Sequence, residues 1–286
     1  MNAFRKFARK VAKEALCVSL QGLSYVDRSL RCDDSLEWLF VLTMPNSGST
    51  ALSKVLMTAE ATVSLSPRCE GEWLVPSLSN PRKRWLEAHS PSMDRIRARW
   101  MAKLRSSANG QPRLVVEKSP SNMVRIDQLR AVLAPMKTSS IILVRDPYAV
   151  CEGWHRRYGR EGLSKTSMPE LIGVSNDQEY FELLGARWVR HATTMANHRR
   201  KVCSIVRYED FISDPRSILS KLSLEFPLLS SAKPDAFVEV KDYGLQRLRN
   251  MNDQQIAALG SDQVDAISSG LEQGHDVVKS FGYSLR

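Results

Sequence analysis

Hydrophobic positions in this chain fall into four short apolar runs, separated by longer stretches in which apolar residues recur every three or four positions. The runs cover residues 38–42, 114–116, 141–144 and 202–206. Each has the length of a strand and is bounded by polar or turn residues. Between them lie Leu52, Val55 and Leu56; then Met93, Ile96, Trp100 and Leu104; then Met123, Ile126, Leu129, Val132 and Leu133. A long helix is predicted over 178–200, with Tyr180, Leu183, Leu184, Trp188, Val189 and Ala192 on its apolar side. Two helix starts are marked by an Asp N-cap followed by Pro, at Asp146-Pro147 and Asp214-Pro215. The stretch 154–168 is basic and reads as a loop or a solvated helix end. Buried strands alternating with amphipathic helices predict one α/β domain, a central parallel sheet with helices on both faces. Its strands are expected to begin near Trp38, Leu114, Ser140 and Val202.

The first segment differs in character. Phe4, Phe7, Val11 and Leu16 share a helical face, with Arg5, Lys6, Arg9, Lys10 and Lys13 around the rest. Residues 1–16 therefore read as a basic amphipathic helix, either docked on the domain or in peripheral contact with an anionic membrane surface. With a Gly-, Ser- and Asp-punctuated connector it makes a unit over 1–37, ahead of a main domain over 38–286.

The chain has 286 residues, 43% apolar and 25% charged, ordinary values for a folded domain. No apolar run approaches membrane-spanning length and no secretory signal is evident. Five cysteines are scattered without C-x-x-C spacing, which points to reduced thiols and a cytoplasmic setting. The five histidines form no ligand pair, so no metal is expected. The net charge of +10 suits an anionic partner: a phosphorylated nucleotide, an acidic glycan, nucleic acid or a membrane. Basic and acidic residues are interleaved and no RNA-binding motif is present, so nucleic acid is not expected.

The chemistry centres on 38–57. A buried run enters the turn Met44-Pro45-Asn46-Ser47-Gly48-Ser49, and helical spacing begins at Ser49. Strand, Gly-containing turn and helix N-terminus together aim backbone N–H groups and the positive end of a helix dipole at one spot, which suits phosphate. Ser47, Ser49 and Thr50 add hydroxyls, and Gly48 allows close backbone approach. A nucleoside triphosphatase loop would read G-x-x-x-x-G-K-[ST]. Here Thr43 stands where the first Gly would be, and no Lys follows Gly48.

Pro45-Asn46-Ser47-Gly48-Ser49-Thr50-Ala51-Leu52 resembles the 5′-phosphosulfate loop of the sulfotransferases that use 3′-phosphoadenosine 5′-phosphosulfate (PAPS), written P-[KR]-[SG]-G-[ST]-T-x-L. Asn46 replaces the basic residue by which that family is thought to neutralise the bridging oxygen. Glu117-Lys118-Ser119-Pro120 resembles the E-K-[ST]-P segment of heparan sulfate sulfotransferases and their bacterial relatives. That likeness implies that Lys118 lies near the transferred group and makes it the candidate for the charge Asn46 lacks. Arg145-Asp146-Pro147 resembles the segment whose Arg binds the 3′-phosphate. A Ser usually follows eight residues later; here Gly153 stands there, with its backbone N–H as the expected donor. Arg207-Tyr208-Glu209-Asp210-Phe211 and the ending Phe281-Gly282-Tyr283 also resemble the family.

By this resemblance a Glu after the first helix is the general base; Glu72 is the first choice and Glu70 the alternate. Lys118, Asn46 and the loop stabilise developing charge. Pro45 to Thr50, Arg145 and Gly153 hold the nucleotide, with Tyr208 in either a nucleotide-binding or a core role. Arg247 and Arg249, with Lys241, belong to a basic stretch that closes the 3′-phosphate site. The implied reaction moves the sulfuryl group from PAPS to a hydroxyl, less readily an amine, of a glycan or small molecule. Its products are PAP (3′,5′-diphosphoadenosine) and a sulfate ester, and it needs no metal. The alternatives are a nucleotide-binding phosphotransferase and a non-catalytic PAP-binding protein. Oligomeric state is not legible.

Overall fold

The computed structural model describes residues 36–81, 83–86, 92–105, 113–240 and 244–286. The basic segment 1–16, most of its connector and Lys241 lie outside these residues. The central sheet is built from β1 (Leu36–Thr43), β2 (Thr62–Val63), β3 (Arg113–Glu117), β4 (Thr138–Val144) and β5 (Ser204–Arg207). All pairings are parallel and the order is β2-β3-β1-β4-β5. Helices fill the crossovers: α1 (Ser49–Leu56), α2 (Met93–Arg105), α3 (Ile126–Leu133), α4 (Pro147–Thr166) and α5 (Asp177–Asn197); α6 (Tyr208–Ser213) and α7 (Pro215–Glu225) follow β5. A hairpin of β6 (Val238–Val240) and β7 (Gly244–Gln246) follows, then α8 (Asn252–Ile256), α9 (Ser261–Glu272) and α10 (His275–Ser280).

The sheet is buried on both faces, which is why its strands read as continuous apolar runs. In β1, Trp38, Phe40 and Leu42 enter one core while Leu39 and Val41 enter the other, as the two-residue strand period requires. The first core takes α2 through Ile96 and Trp100, and α5 through Leu184 and Trp188. Trp38 and Trp100 stack there with centroids 5.4 Å apart. The second core takes α1 through Leu52, Val55 and Leu56. Burial of each such side chain contributes roughly 1.5–3 kcal/mol. That pins α1, and with it the loop that precedes it, to the sheet.

The chain leaves β1 for the β2 edge, returns through β3 beside β1, then crosses to β4 on the other side. Such a reversal opens a crevice at the carboxyl ends of the central strands. The loop 44–48, Lys118, Arg145 and Tyr208 follow β1, β3, β4 and β5 respectively.

The α/β class and the four strands match the sequence reading, and the structure corrects it in three places. Of the two readings open for 154–168, helix is the one observed: residues 154–166 belong to α4, which is kinked at Gly159, and Trp154 and Leu163 are buried rather than solvated. The two-residue β2 is too short to leave a periodic trace. The stretch before the last helices contains an antiparallel hairpin, with exposed Leu245 in β7.

Candidate functional site

The loop between β1 and α1 turns through two left-handed residues, Asn46 (φ 69°) and Gly48 (φ 83°). Asn tolerates this region and Gly favours it. Gly48 is also sterically required, because a β-carbon there would come within 2.3 Å of the Tyr208 ring. No side chain caps the N-terminus of α1 and its first turn holds no acid, which leaves its leading N–H groups without a side-chain partner at the positive end of the helix dipole. Ser47 Oγ and Asn46 Nδ2 are buried and have no hydrogen-bond partner among the described residues. Buried donors of that kind are costly unless satisfied. The Trp154 indole donates to the Pro45 carbonyl at 3.0 Å and holds the loop from the α4 side.

One cavity gathers most of the predicted nucleotide residues: Asn46, Gly48, Ser49 and Thr50 from the loop, Arg145 and Gly153 beyond β4, Tyr208, and Arg247 and Arg249 after the hairpin. Pro45 and Ser47 do not line it. Arg156 and Arg157, from the basic stretch 154–168, do.

Arg145 is 5% exposed and is clamped. Its Nε donates to Asn252 Oδ1 at 2.8 Å, its Nη1 to the Asn46 carbonyl at 3.0 Å, and its Nη2 to Gln255 Oε1. Its guanidinium stacks 4.2 Å from the Tyr208 ring centroid. Asn252 and Gln255 are themselves anchored. Asn252 Nδ2 donates to Glu209 Oε1 at 2.7 Å, and Gln255 Nε2 to buried Glu152 Oε2 at 2.7 Å. Glu209 also accepts from the Asp146 N–H and the Tyr283 hydroxyl. The Arg-Tyr-Glu-Asp-Phe and Phe-Gly-Tyr segments thus meet at this carboxylate. Sequence reasoning missed Glu152, Glu209, Asn252 and Gln255 as supports, since a side-chain amide 107 or 110 residues from its partner leaves no local signal.

Gly153 lies inside α4, where its N–H is committed to the helix ladder. The expectation that this N–H donates to a ligand is therefore corrected. What occupies the space beside Gly153 is Asn46: a β-carbon built on Gly153 would lie 3.3 Å from both Asn46 Cβ and Asn46 Nδ2.

The second half of the site follows β3. Lys118, 2% exposed, pairs with Glu70 Oε1 at 2.6 Å and reaches Thr50 Oγ1 at 3.3 Å. The Trp73 indole donates to Glu70 Oε2 at 2.6 Å. Burial works to raise the Glu70 carboxyl, but Lys118, Trp73 and Arg68 outweigh it and hold it below the usual value. Glu72 is turned elsewhere. Arg84 contacts its Oε1 at 2.6 Å, the Ser121 hydroxyl donates to its Oε2 at 2.6 Å, and the residue is 1% exposed. Burial pushes its carboxyl up, against the pull of Arg84 and Ser121. The structure thus brings Glu70, not Glu72, to Lys118 and the loop. Glu117, fully buried and pushed up to about 7 by burial, accepts from the N–H groups of Gly71 and Ser119 and from Asn122 Nδ2. It fixes the turn that carries both glutamates. Among the described residues no cluster of three or more His, Cys, Asp or Glu is arranged to hold a metal ion. Nor, among them, is any helix long and apolar enough to cross a membrane.

A sequence-family model described as "Sulfotransferase family" matches residues 39–226. The fold is similar to that of the sulfotransferase domain of the olefin synthase from Synechococcus PCC 7002. That comparison has 20% identity over 87% of this chain and 96% of that one, with a TM-score of 0.50. It is also similar to sulfotransferase STF9 from Mycobacterium avium, with 16% identity over 86% of this chain and 77% of that one and a TM-score of 0.54. No curated protein sequence matches.

Proposed function

This chain belongs to the sulfotransferase family, and from that premise we propose that it transfers the sulfuryl group of PAPS to a hydroxyl acceptor. The observation that carries the reading is the juxtaposition of two sites on one loop. An uncapped helix N-terminus with buried, unpartnered donors adjoins clamped Arg145 on one side and the Glu70–Lys118 pair on the other. When bound, PAPS supplies an activated sulfuryl group, whose S–O bond to the 5′-phosphate breaks as the bond to the acceptor oxygen forms, leaving PAP.

The residues divide the work. Backbone N–H groups at the start of α1, with Ser49 and Thr50, hold the 5′-phosphate end. Arg145 holds the 3′-phosphate and sets the register of the nucleotide. Glu70 takes the acceptor proton; its contact with Lys118 and its partial exposure support it over Glu72, because a general base must first be within reach. Lys118 stabilises charge that develops as the sulfuryl group leaves, where a preorganised cation in a buried site acts most strongly. Glu72, held by Arg84 and Ser121, braces the turn.

The experiment is turnover of PAPS against a panel of glycan, small-molecule hydroxyl and amine acceptors, with and without EDTA. Acceptor-dependent release of PAP, insensitive to EDTA, is expected. Tight PAP binding with no turnover on any acceptor would instead make the chain a binding protein. Magnesium-dependent transfer from a nucleoside triphosphate would make it a phosphotransferase.

A further inference from the structure

The two positions at which this chain departs from the PAPS-loop and 3′-phosphate patterns, Asn46 and Gly153, are neighbours in the fold. Sequence reasoning treated them as separate losses, a missing charge at the sulfuryl group and a missing hydroxyl at the 3′-phosphate. Four observations join them. The left-handed backbone at residue 46 turns its side chain so that Cβ and Nδ2 both lie 3.3 Å from where a β-carbon at residue 153 would be. Asn46 Nδ2 is buried without a partner among the described residues. The Asn46 backbone carbonyl accepts from Arg145 Nη1 at 3.0 Å, and Asn46 lines the same cavity as the guanidinium assigned to the 3′-phosphate. The side-chain nitrogen of Gln255, also beside Gly153, is committed to Glu152 Oε2 at 2.7 Å.

We propose that the Asn46 carboxamide is a binding group for the 3′-phosphate, its N–H standing in for the hydroxyl that Gly153 cannot supply. The small residue at 153 is what admits it: a larger side chain there would crowd Asn46. The exchange also frees residue 46 from a role at the sulfuryl group, where a neutral amide is a weak substitute for a cation, and leaves that charge to Lys118. This inference rests on the nucleotide reading above.

The test is calorimetric titration with PAP and with AMP, which lacks the 3′-phosphate. Asn46→Gly is the variant of choice, because Gly keeps the left-handed backbone without strain. It should weaken PAP about 10- to 100-fold, the range for one hydrogen bond to a charged group, and leave AMP nearly unchanged. Asn46→Gly combined with Gly153→Ser should recover much of the lost PAP preference, because the serine then has room and supplies a hydroxyl at the same spot. An unchanged PAP-to-AMP ratio in Asn46→Gly, whether both ligands weaken alike or neither does, overturns the proposal. If the unsubstituted protein already binds PAP and AMP equally, it is the nucleotide reading that fails, and the two failures are thereby distinguished.

Discussion

Glu70 and Glu72 stand two residues apart, yet they face different partners. Gly71 to Leu74 form a single 3-10 turn with Glu70 as its N-cap. At about three residues per turn, side chains two apart leave on different sides. One therefore meets Lys118 and the loop, the other Arg84 and Ser121. If Glu70 is the base, Glu70→Gln cuts the chemical step by about 10²–10⁴-fold while PAP affinity holds. Glu72→Gln acts mainly on stability, since it leaves Arg84 without its carboxylate. The pH profile gives a second check. A base must be ionised, and the Glu70 carboxyl is held below its usual value. Activity should therefore persist into weakly acidic solution and fall only below the ordinary carboxylate range. Lys118→Ala removes a main cause of that depression. It should shift the acid limb of kcat/KM to higher pH and lower turnover more than donor affinity. An acid limb that stays in place in Lys118→Ala argues against Glu70 as the titrating base.

Among the elements, α8 is the least conspicuous and holds one of the most consequential positions. It has five residues, and two of them, Asn252 and Gln255, grip Arg145. Their spacing of three puts both on the same side of one helical turn. Gln255→Leu removes one hydrogen-bond partner from each of Arg145 and Glu152 and should weaken PAP by about tenfold, with AMP little affected. Loss of both ligands alike in titration would show that α8 supports the whole cavity and not the guanidinium alone. The start of α1 makes the opposite case. Gly48→Ala meets both a positive φ and the Tyr208 ring, so it should weaken PAP and AMP together. Tyr208→Ala in the same chain relieves only the clash, so rescue should be partial.

At the scale of the whole molecule, the site is assembled from the carboxyl ends of four parallel strands and closed by segments after the hairpin. A ligand that spans these parts binds only the folded chain. PAP at a hundred times its dissociation constant should then add about 2.7 kcal/mol of stability. That corresponds to a Tm rise of roughly 5–10 °C for a domain of this size. AMP at the same concentration should raise Tm less, as a thermal-shift assay would read directly. The sequence by itself determined the α/β class, the four longer strands and the places of the loop, Lys118 and Arg145. Those are properties of short contiguous stretches: apolar runs set the strands, and turn chemistry or charge at their ends marks the crevice. It did not determine which glutamate meets Lys118, where the Asn46 side chain turns, what holds Arg145, or that 154–166 continue a helix. Those depend on partners far apart in the chain. Glu70 and Lys118 are separated by 48 residues, Arg145 and Gln255 by 110, and only packing around the sheet decides which side chains converge.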